Sequence, residues 1–423
     1  MTRVAVIGLG KIGLPLAALY AGKGADVIGC DISAEVVESV NAGRSHVGGE
    51  PGLAEAVAAA HASGRLRATT DTTAAVAQTE VVVIMVRIGI DAAGHADFHY
   101  LDLAASAVGK RLKAGTLVIL ESTVPVGATR TRLGRRLTGA SGLDTGGFRL
   151  AYSPERVSSG SIFRDLGTYP KLVGGIDATS TEAAAAFYES VLDAPVMRLP
   201  DTETAEFAKL AESIYRDMNI ALANELARAA ESLGVDYAVA AQAGNSQPYS
   251  HLHAPGLGVG GHCIPVYPYF LTQAVDAPLI ALSREVNDAM ASHGVERLAE
   301  ALDGGLEGKT VLILGLAYRG GVKEAELSSA FLVADALAQH GAHVLVHDPL
   351  FTPDEIRAYG LEASPLPPVV PVDAIVLQAA HPEYAGLDYG AIADCRAVLD
   401  GRGALDASAI EAAGIRYIVI GRP

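Results

Sequence analysis

The chain opens with an apolar run that leads into closely spaced glycines, Arg3-Val-Ala-Val-Ile-Gly-Leu-Gly-Lys-Ile-Gly13. The apolar run predicts a buried strand, and the glycines have the spacing G-x-G-x-x-G. Such glycines make a tight turn and let a pyrophosphate approach the N-terminus of the following helix, which is predicted over residues 14–24. This stretch therefore predicts the strand, turn and helix of a dinucleotide-binding fold.

A second predicted strand, at residues 26–31, ends in the acidic residue Asp31. The acid follows the glycines by about twenty residues, the place at which a carboxylate binds the adenosine ribose hydroxyls. A carboxylate there also repels a 2′-phosphate. We therefore expect NAD rather than NADP as the cofactor.

Short apolar runs at residues 81–86, 116–120 and 149–152 indicate further buried parallel strands. Polar residues follow two of them, in Glu121-Ser-Thr123 and Ser153-Pro-Glu-Arg156. Because ligands of open α/β sheets bind at the carboxyl ends of strands, Thr123 and Glu155 are candidate site residues.

One long helix is predicted over residues 201–233. Its apolar residues recur at spacings of three and four: Phe207, Leu210, Ile214, Met218, Leu222 and Leu226. Lys209 and Ser213 are four residues apart and so project from one face of this helix. A helix of this length suits the connection between two domains and, often, a dimer contact.

A second strand-to-glycine pattern at residues 309–317 begins another set of predicted strands, at residues 343–347, 374–377 and 416–420. This set lacks the complete glycine fingerprint, so it need not bind a dinucleotide. We predict an α/β protein with two Rossmann-like doubly wound domains joined by a long central helix and helical segment. The predicted segments are 1–200, 201–303 and 304–423.

Composition excludes several classes of protein. The 423 residues carry a formal net charge of −16, which disfavours nucleic acid as a partner. No apolar run approaches the ~20 residues of a membrane span, and the strand at Arg3 leaves no room for a signal peptide. Three distant cysteines, Cys30, Cys263 and Cys395, favour a reducing cytoplasm over a disulfide framework. Cys30 and Cys395 lie in apolar surroundings and are expected in the core; no metal site is indicated.

Cys263 follows four glycines in the stretch Gly256-Leu-Gly-Val-Gly-Gly-His-Cys-Ile-Pro265. Glycines let the backbone approach a ligand closely, and an accessible thiol suits a covalent nucleophile. A tight loop that happens to contain a cysteine would have the same sequence. The stretch alone leaves both interpretations open.

With these motifs in place, the chain resembles the UDP-glucose/GDP-mannose dehydrogenase family along essentially its whole length, most closely its UDP-N-acetylmannosamine dehydrogenase branch. The resemblance is carried by Gly8-Leu-Gly-Lys-Ile-Gly13, Glu121-Ser-Thr-Val-Pro125, Ser153-Pro-Glu-Arg156, Ala205-Glu-Phe-Ala-Lys-Leu-Ala-Glu212, Gly260-Gly-His-Cys-Ile-Pro265, Arg284-Glu-Val-Asn-Asp288 and Leu314-Gly-Leu-Ala-Tyr318. It implies a four-electron oxidation of a sugar primary alcohol to a carboxylate with two NAD. The cysteine adds to the aldehyde, a second hydride leaves to give a thioester, and water hydrolyses the thioester.

The resemblance also implies residue roles. Cys263 is the implied nucleophile, and Lys209 supplies positive charge where an oxyanion develops. Thr123 holds a water, and Glu155 acts on it as general base. The implied cofactor contacts are Gly8, Gly10, Lys11, Ile12, Gly13, Asp31, Arg87, Ser122 and Thr123. The implied substrate contacts are Glu155, Arg156, Lys209, Ser213, Tyr249, Gly258, Gly260, Tyr267, Arg319 and Glu326, in a protein expected to be a homodimer.

Five positions depart from the family's pattern. Ser213 replaces an asparagine four residues after the lysine, and Tyr267 replaces an aspartate four residues after the cysteine. The segment Arg87-Ile88-Gly89 replaces a Pro-Thr-Pro turn. Tyr249 and Glu326 replace two arginines that hold the substrate in relatives, one of them its anionic portion. Loss of the acid and the amide predicts slow hydrolysis of the thioester.

The two arginine replacements change the expected charge near the substrate by about −3, from −1 for Arg to Tyr and −2 for Arg to Glu. Each lost phosphate contact weakens diphosphate binding about ten- to a hundredfold. Arg319, where the family usually has lysine, offsets part of this, and Tyr249 offers a stacking face to a neutral ring. The leading expectation is a substrate less anionic than a UDP-sugar, such as a nucleoside or a lightly phosphorylated sugar.

Two alternatives stay open. One is an ordinary UDP-N-acetylmannosamine or UDP-glucose 6-dehydrogenase that tolerates these substitutions. The other is a non-catalytic homologue that binds NAD and regulates a partner. The retained residues Cys263, Lys209, Glu155 and Thr123 argue against the second. The sequence does not determine whether oxidation stops at the aldehyde.

Overall fold

The computed structural model describes residues 2–91 and 93–423, in which the chain forms two compact units. Unit 1 comprises the chain up to Glu212 together with Tyr269–Val275, and unit 2 comprises Ser213–Pro268 and Asp276–Pro423. None of the helices in these described ranges combines the length and the hydrophobicity that a membrane span requires.

Unit 1 is built on a mostly parallel sheet. Its strands are β1 (Arg3–Ile7), β2 (Asp26–Cys30), β3 (Leu66–Thr69), β4 (Val81–Ile84), the hairpin strands β5 (Gly89–Ile90) and β6 (Ala96–Asp97), β7 (Leu117–Leu120), β8 (Arg149–Tyr152), β9 (Lys171–Gly175) and β10 (Val196–Leu199). Eight of them form one sheet in the order β10-β9-β8-β7-β4-β1-β2-β3. Only β8 and β9 pair antiparallel in that sheet, and its order reverses between β1 and β4, where such sheets bind ligands.

Helices surround this sheet. They are α1 (Gly13–Gly22), α2 (Ala34–Asn41), α3 (Leu53–Ala62), α4 (Thr72–Val76), α5 (His99–Gly109), a π-helical segment (Thr129–Gly134), α6 (Arg135–Ser141), α7 (Ile162–Thr168) and α8 (Ala178–Val191). The central strands β4 and β7 are apolar and buried along their whole length. This burial is typical of parallel strands that are covered on both faces.

Four helices occupy the middle of the chain: α9 (Thr202–Leu233), α10 (Tyr237–Gly244), α11 (Tyr267–Thr272) and α12 (Pro278–Ala301). The predicted apolar stripe does not mark the buried face of α9. Leu210 and Ile214 are buried, but Phe207, Leu222 and Leu226 are exposed. Small and polar side chains face inward instead, among them Ala205, Glu206, Ser213, Asp217, Asn224 and Ala227.

Unit 2 contains a second, wholly parallel sheet. Its strands and helices are β11 (Thr310–Leu314), α13 (Ser329–Gln339), β12 (His343–His347), α14 (Pro353–Ala358), β13 (Glu362–Ala363), β14 (Ala374–Leu377), α15 (Pro382–Ala385), a 3₁₀ turn (Tyr389–Ala391), β15 (Ala397–Asp400), α16 (Ala407–Ala412) and β16 (Arg416–Val419). The strand order β13-β12-β11-β14-β15-β16 is that of a Rossmann fold.

The predicted fold class is confirmed: two Rossmann-like sheets are joined by the long central helices. Element ends differ by one or two residues, since the helix predicted over residues 14–24 is α1 at Gly13–Gly22. Cys30 is buried as expected, whereas Cys395 is only half-buried. The division at residues 200 and 303 stays a prediction.

Candidate functional site

The first glycine turn of unit 1 has the geometry of a dinucleotide cradle. Gly8 has φ +93°, and a Cβ there would lie 2.1 Å from the Met85 carbonyl oxygen. A Cβ on Gly13 would lie 1.8 Å from the Gly8 carbonyl oxygen. A Cβ on Gly10 would meet no atom within 4 Å, so this glycine borders the open space that a pyrophosphate would enter.

Asp31 supports the same turn from the end of β2. Its Oδ2 accepts a hydrogen bond from the Leu9 backbone N–H at 2.9 Å, and its Oδ1 accepts one from the Ser33 backbone N–H at 2.9 Å. The N-terminus of α1 carries no side-chain cap and no acidic residue in its first turn. Backbone N–H groups at such an end attract phosphate, so these residues fit NAD.

The remaining cofactor candidates differ in their surroundings. Lys11 is exposed, and Ile12 is half-buried. Arg87 is exposed after β4. The Ser122 hydroxyl donates to the Val86 carbonyl oxygen at 2.6 Å and accepts from the Val86 N–H at 2.8 Å, so it joins the ends of β4 and β7. Ser122 therefore shapes the edge of the sheet through the backbone.

The carboxyl edge of unit 1 brings Thr123 and Glu155 to the ends of neighbouring strands. Thr123 is buried after β7, and Glu155 follows β8 with an 11% exposed side chain. Glu155 Oε1 accepts a hydrogen bond from the Arg156 N–H at 2.6 Å. Its Oε2 accepts one from Lys171 Nζ at 3.1 Å.

Sequence reasoning missed the group behind Glu155. Lys171 also donates to Glu121 Oε2 at 2.7 Å, and Glu121 Oε1 accepts from the hydroxyls of Tyr188 at 2.6 Å and Tyr20 at 3.1 Å. A lysine that opens the apolar run Leu172-Val-Gly-Gly175 was the available signal. Its partners lie 50 and 16 residues away, so the sequence did not reveal them.

The first half of α9 supplies further charged groups to unit 1. Lys209 is half-buried there. The Arg156 guanidinium, predicted to contact substrate, donates to Glu212 Oε2 at 2.9 Å and to the Pro170 carbonyl oxygen at 3.2 Å. Glu206, another residue that sequence reasoning missed, accepts from the backbone N–H groups of Gly127 and Thr129. Burial raises the pKa of the Glu206 carboxyl to about 7.

The cysteine loop belongs to unit 2 and presents an exposed Cys263. A Cβ on Gly260 would lie 2.7 Å from the Leu327 carbonyl oxygen and 2.8 Å from Tyr318 Cβ. The Gly261 N–H donates to the Glu326 carbonyl oxygen at 2.9 Å. The glycines are therefore required by the close packing of this loop on the residues between β11 and α13.

Buried polar groups hold the other end of the loop. The Gly256 N–H donates to Asn224 Oδ1 at 3.0 Å, and Asn224 Nδ2 donates to Asn287 Oδ1 at 2.9 Å. Asn287 Nδ2 donates to Asp217 Oδ1 at 2.8 Å, and Arg284 Nη1 donates to the same oxygen at 2.6 Å. This network explains the motif Arg284-Glu-Val-Asn-Asp288 as the support of the cysteine loop.

The other predicted substrate residues of unit 2 have varied environments. A Cβ on Gly258 would lie 3.0 Å from Ser329 Cβ. Ser213 is buried and Tyr267 is half-buried, with the Tyr267 N–H donating to the Cys263 carbonyl oxygen at 2.9 Å. Tyr249 is 92% exposed.

Two further positions of the predicted substrate site lie between β11 and α13. Arg319 is exposed, with its guanidinium carbon 5.9 Å from the centre of the Tyr318 ring. Glu326 is half-buried. The predicted catalytic residues thus divide between the units, with Thr123, Glu155 and Lys209 in unit 1 and Cys263 in unit 2.

Comparisons with known proteins place these features in one family. Three models of the UDP-glucose/GDP-mannose dehydrogenase family match the chain: the NAD binding domain at residues 2–192, the central domain at residues 203–289 and the UDP binding domain at residues 312–407. The UDP-N-acetyl-D-mannosamine dehydrogenase of Pyrococcus horikoshii is 34% identical over 411 residues, which cover 95% of each chain. The NDP-N-acetyl-D-galactosaminuronic acid dehydrogenase of Ralstonia nicotianae is also 34% identical, over 97% of each chain.

The fold agrees with these sequence matches. The solved structure of UDP-D-ManNAc dehydrogenase from Pyrococcus horikoshii superposes with a TM-score of 0.90 over 99% of each chain, at 32% identity. A UDP-glucose dehydrogenase structure from Pyrobaculum islandicum gives a TM-score of 0.88 at 30% identity, over 100% of this chain and 98% of that one. The chain belongs to the UDP-glucose/GDP-mannose dehydrogenase family and is an NAD-dependent nucleotide-sugar dehydrogenase that acts on a CH–OH group.

Proposed function

We propose that this chain oxidises a sugar primary alcohol to a carboxylate through a thioester on Cys263. The observation that carries the proposal is the placement of the three cysteines: Cys30 is buried, Cys395 is half-buried, and Cys263 alone is exposed. Cys263 follows glycines that pack closely on the neighbouring backbone, where a side chain at Gly260 would not fit. An exposed thiol on a loop fixed in this way suits attack on an aldehyde.

Four of the chain's own residues have roles in this reaction. NAD, when bound, accepts one hydride in each of the two oxidations. The Cys263 thiolate adds to the aldehyde carbon, and Lys209 stabilises the oxyanion that forms there. Thr123 holds the water that attacks the thioester, and Glu155 takes its proton as the C–S bond breaks and the thiolate leaves. A reducing compartment, in which the thiol stays available, is part of the same proposal.

We further propose that the substrate is a nucleotide sugar or related nucleoside with less negative charge than a UDP-sugar. The family resemblance implies arginines at the positions of Tyr249 and Glu326, and the Tyr249 ring is exposed and so available for stacking. A carboxylate in place of a guanidinium disfavours a diphosphate. Arg319 is an exposed cation of unit 2, and a guanidinium pairs well with a phosphate.

The second candidate is a UDP-N-acetylmannosamine 6-dehydrogenase of the ordinary kind. It is favoured by the 34% identity to the Pyrococcus horikoshii enzyme and by the match of residues 312–407 to a UDP binding domain. Calorimetric titration with UDP, UDP-N-acetylmannosamine and uncharged nucleosides separates the candidates. Micromolar affinity for the UDP-sugar, with turnover at the usual rate of about 10 per second, would contradict the less anionic substrate.

The covalent step is tested with Cys263→Ala. Hydride removal from the alcohol needs NAD and a base, so this variant should lose acid formation but keep some aldehyde formation. Because Tyr267 and Ser213 replace an acid and an amide, native enzyme should accumulate the acyl intermediate. Rapid quench with intact-mass analysis would detect it. Full four-electron turnover by Cys263→Ala would remove Cys263 from the mechanism, and a complete absence of NADH formation with every sugar tested would favour a non-catalytic NAD-binding role.

A homodimer is the proposed assembly, formed through the exposed apolar face of α9 in unit 2. Tyr215, Leu222, Leu226 and Leu233 lie on that face at spacings of seven, four and seven, and all four side chains are exposed. A stripe with this spacing is typical of a helix that packs against a second helix. The double variant Leu222→Glu/Leu226→Glu should be monomeric by light scattering, whereas Arg228→Glu, a control elsewhere on the helix surface, should stay dimeric. A native protein that sediments as a monomer would exclude this assembly.

A further inference from the structure

A buried ion pair lies directly behind Glu155. Glu121 is 1% exposed and Lys171 is 5% exposed, and Lys171 Nζ lies 2.7 Å from Glu121 Oε2 and 3.1 Å from Glu155 Oε2. The two tyrosine hydroxyls that donate to Glu121 come from α1 and α8. One ammonium group is thus shared between a fully buried carboxylate and a second carboxylate that reaches the edge of the sheet.

The direction of β9 explains how a lysine reaches this place. Tyr152 of β8 pairs with Gly174 of β9 in an antiparallel register, which brings the start of β9 to the carboxyl end of β8. Lys171, the first residue of β9, therefore lies beside Glu155. Glu121 follows β7, the neighbour of β8, and so ends at the same edge.

The contacts determine which of these groups are charged. Desolvation lowers the pKa of Lys171, but the Glu121 and Glu155 carboxylates outweigh it and raise that pKa above the usual range. Burial raises the pKa of the Glu121 carboxyl. Three donors nevertheless converge on Glu121, and an acceptor-only role of this kind is that of an ionised carboxylate. Lys171 is therefore an ammonium held between two carboxylates.

Other charged groups in this region have partners of their own. Arg156 pairs with Glu212 at 2.9 Å, and Asp165 pairs with Arg164 at 2.9 Å. Asp165 also accepts a hydrogen bond from the Ser158 N–H at 3.0 Å. Arg156 and Asp165 line, together with Glu155 and Lys171, a cavity of about 10 Å³, which is close to the space that a single water needs.

We propose that Lys171 is a positioning residue for the general base: it fixes Glu155 Oε2 at the edge of the sheet, while Glu121 and its two tyrosines hold Lys171 in place. This inference rests on the proposed function, in which Glu155 accepts the proton of the attacking water. The ammonium matters because a general base must lie within hydrogen-bond reach of the proton that it takes, and Lys171 Nζ holds one oxygen of Glu155 in place.

The test removes the ammonium without leaving a buried charge behind. Lys171→Met alone would leave Glu121 buried and unpaired, which destabilises the fold strongly. The double variant Lys171→Met/Glu121→Gln removes both charges of the pair. Lys171→Arg keeps a cation and serves as the rescue variant. NAD titration of each variant checks that unit 1 is folded.

The readout compares the rate at which the Cys263 thioester is hydrolysed with the rate of the first NADH formation. In the double variant, hydrolysis should slow by about tenfold or more, whereas the first NADH formation, which precedes the attack of water, should stay within about twofold of the native rate. Lys171→Arg should restore hydrolysis to within about threefold of the native rate. Hydrolysis at the native rate in the double variant would overturn the proposal, and so would an equal loss of both rates.

The positioning role and the base role fail separately. Thioester hydrolysis is followed by intact mass after acylation with UDP-N-acetylmannosamine or another sugar that is turned over. If Glu155→Gln hydrolyses the thioester at the native rate, Glu155 is not the base, whatever the rate of the double variant. If Glu155→Gln accumulates the thioester and the double variant hydrolyses it at the native rate, the base role stands and the role of Lys171 is wrong.

Discussion

The two glycine turns of this molecule begin in the same way and serve different purposes. In unit 1 the turn is Gly8-x-Gly10-x-x-Gly13, and in unit 2 it is Gly315-x-Ala317-x-x-Gly320. The last glycine is required for the same steric reason in both turns. A Cβ on Gly320 would lie 1.8 Å from the Ala380 carbonyl oxygen, just as a Cβ on Gly13 would lie 1.8 Å from the Gly8 carbonyl oxygen. The middle position differs, because Ala317 is fully buried whereas Gly10 borders open space.

The acid after the second strand shows the same contrast. Asp348, at the end of β12, accepts hydrogen bonds from the N–H groups of Leu316, Ala317 and Leu350, and it pairs with His381 at 3.1 Å. It is 2% exposed, so no oxygen remains for a ribose. Asp31 makes two backbone contacts and stays partly exposed. The shared fold thus leaves one acid partly accessible and buries the other among its own hydrogen bonds.

The residues that follow each turn complete the difference. In unit 1, α1 begins at Gly13, so its N-terminus faces the turn. In unit 2, residues 321–328 intervene before α13, and they provide the oxygens of Glu326 and Leu327 on which the cysteine loop packs. Ser328 caps α13 by accepting from the Ala330 N–H. The second turn thus lacks the open space beside Gly10, and the residues that follow it support the cysteine loop.

The largest effect is expected for the stability of Asp348→Ala, a variant that tests the contrast between Asp348 and Asp31. Several buried donors lose their acceptor, so the free energy of unfolding at pH 7 should fall by about 3 kcal/mol or more, while NAD affinity stays unchanged. Burial by itself raises the pKa of Asp348, but hydrogen bonds from His381, Ala317 and Leu350 outweigh it and lower the pKa. The difference in free energy of unfolding between native protein and Asp348→Ala should therefore be fully present above about pH 4 and should shrink as pH falls below that. Urea unfolding of both proteins at pH 7 and pH 3.5 measures it; a loss of NAD affinity would break the contrast between the two acids.

Gly10→Ala should weaken NAD binding about a hundredfold, or about 2.7 kcal/mol, because the methyl group occupies the path of the pyrophosphate. Stability should change by less than about 1 kcal/mol, since no atom lies within 4 Å of the new carbon. Calorimetric titration with NAD checks the first point and thermal unfolding the second. Gly22→Ala, at the far end of α1 and equally uncrowded, is the matched control. Equal losses in both variants would show that the effect comes from the helix.

Asp31→Ala should weaken NAD binding about tenfold through the lost ribose contact and should relax the preference against NADP. Asp26→Ala, at the opposite end of β2, should change neither affinity. Titration of the three proteins with both cofactors provides the measurement. Tighter binding of NADP than of NAD by the native protein would contradict the assignment of Asp31.

The smallest effect is expected for Ser328→Ala, which removes the cap of α13 and should lower the free energy of unfolding in urea by about 1 kcal/mol.

Introducing the same kind of cap in unit 1 with Ile12→Ser should instead lower NAD affinity, because the hydroxyl would compete for the N–H groups of α1. Unchanged NAD affinity in Ile12→Ser would mean that those groups do not bind phosphate.

Sequence patterns that depend on neighbouring residues were sufficient for the fold. The turn at Gly8, the acid at Asp31 and the apolar strands are local signals, and each corresponds to the structure. The burial of α9 was not predictable in this way, because its inward face consists of alanines and paired polar residues such as Asp217 and Asn224. A polar residue can be buried only with a partner, and partners such as Asn287 are distant in sequence.

The residues of the candidate site show the same difference between local sequence signals and contacts that are distant in sequence. Cys263, Glu155 and Thr123 were predicted from motifs, and their roles stay proposals. Glu121 and Lys171 were missed because their meaning depends on contacts between β7, β8 and β9. Arg156 was predicted from a motif as a substrate contact, but its guanidinium donates a hydrogen bond to Glu212, a partner that the residues around Arg156 do not indicate.

The reversal of β9 limits how this part of the chain can vary between relatives. Residues 153–170, which include α7, connect β8 to β9, and insertions at exposed positions of such a connection are usually tolerated. A slip of the β9 pairing by a single residue is different, because it would bring an apolar neighbour beside Glu155 and turn the lysine to the other face of the sheet. Changes in loop length between homologues should therefore leave the pairing of Tyr152 with Gly174 unaltered. An alignment that shifts this pairing would misplace the lysine, even where the surrounding motifs match.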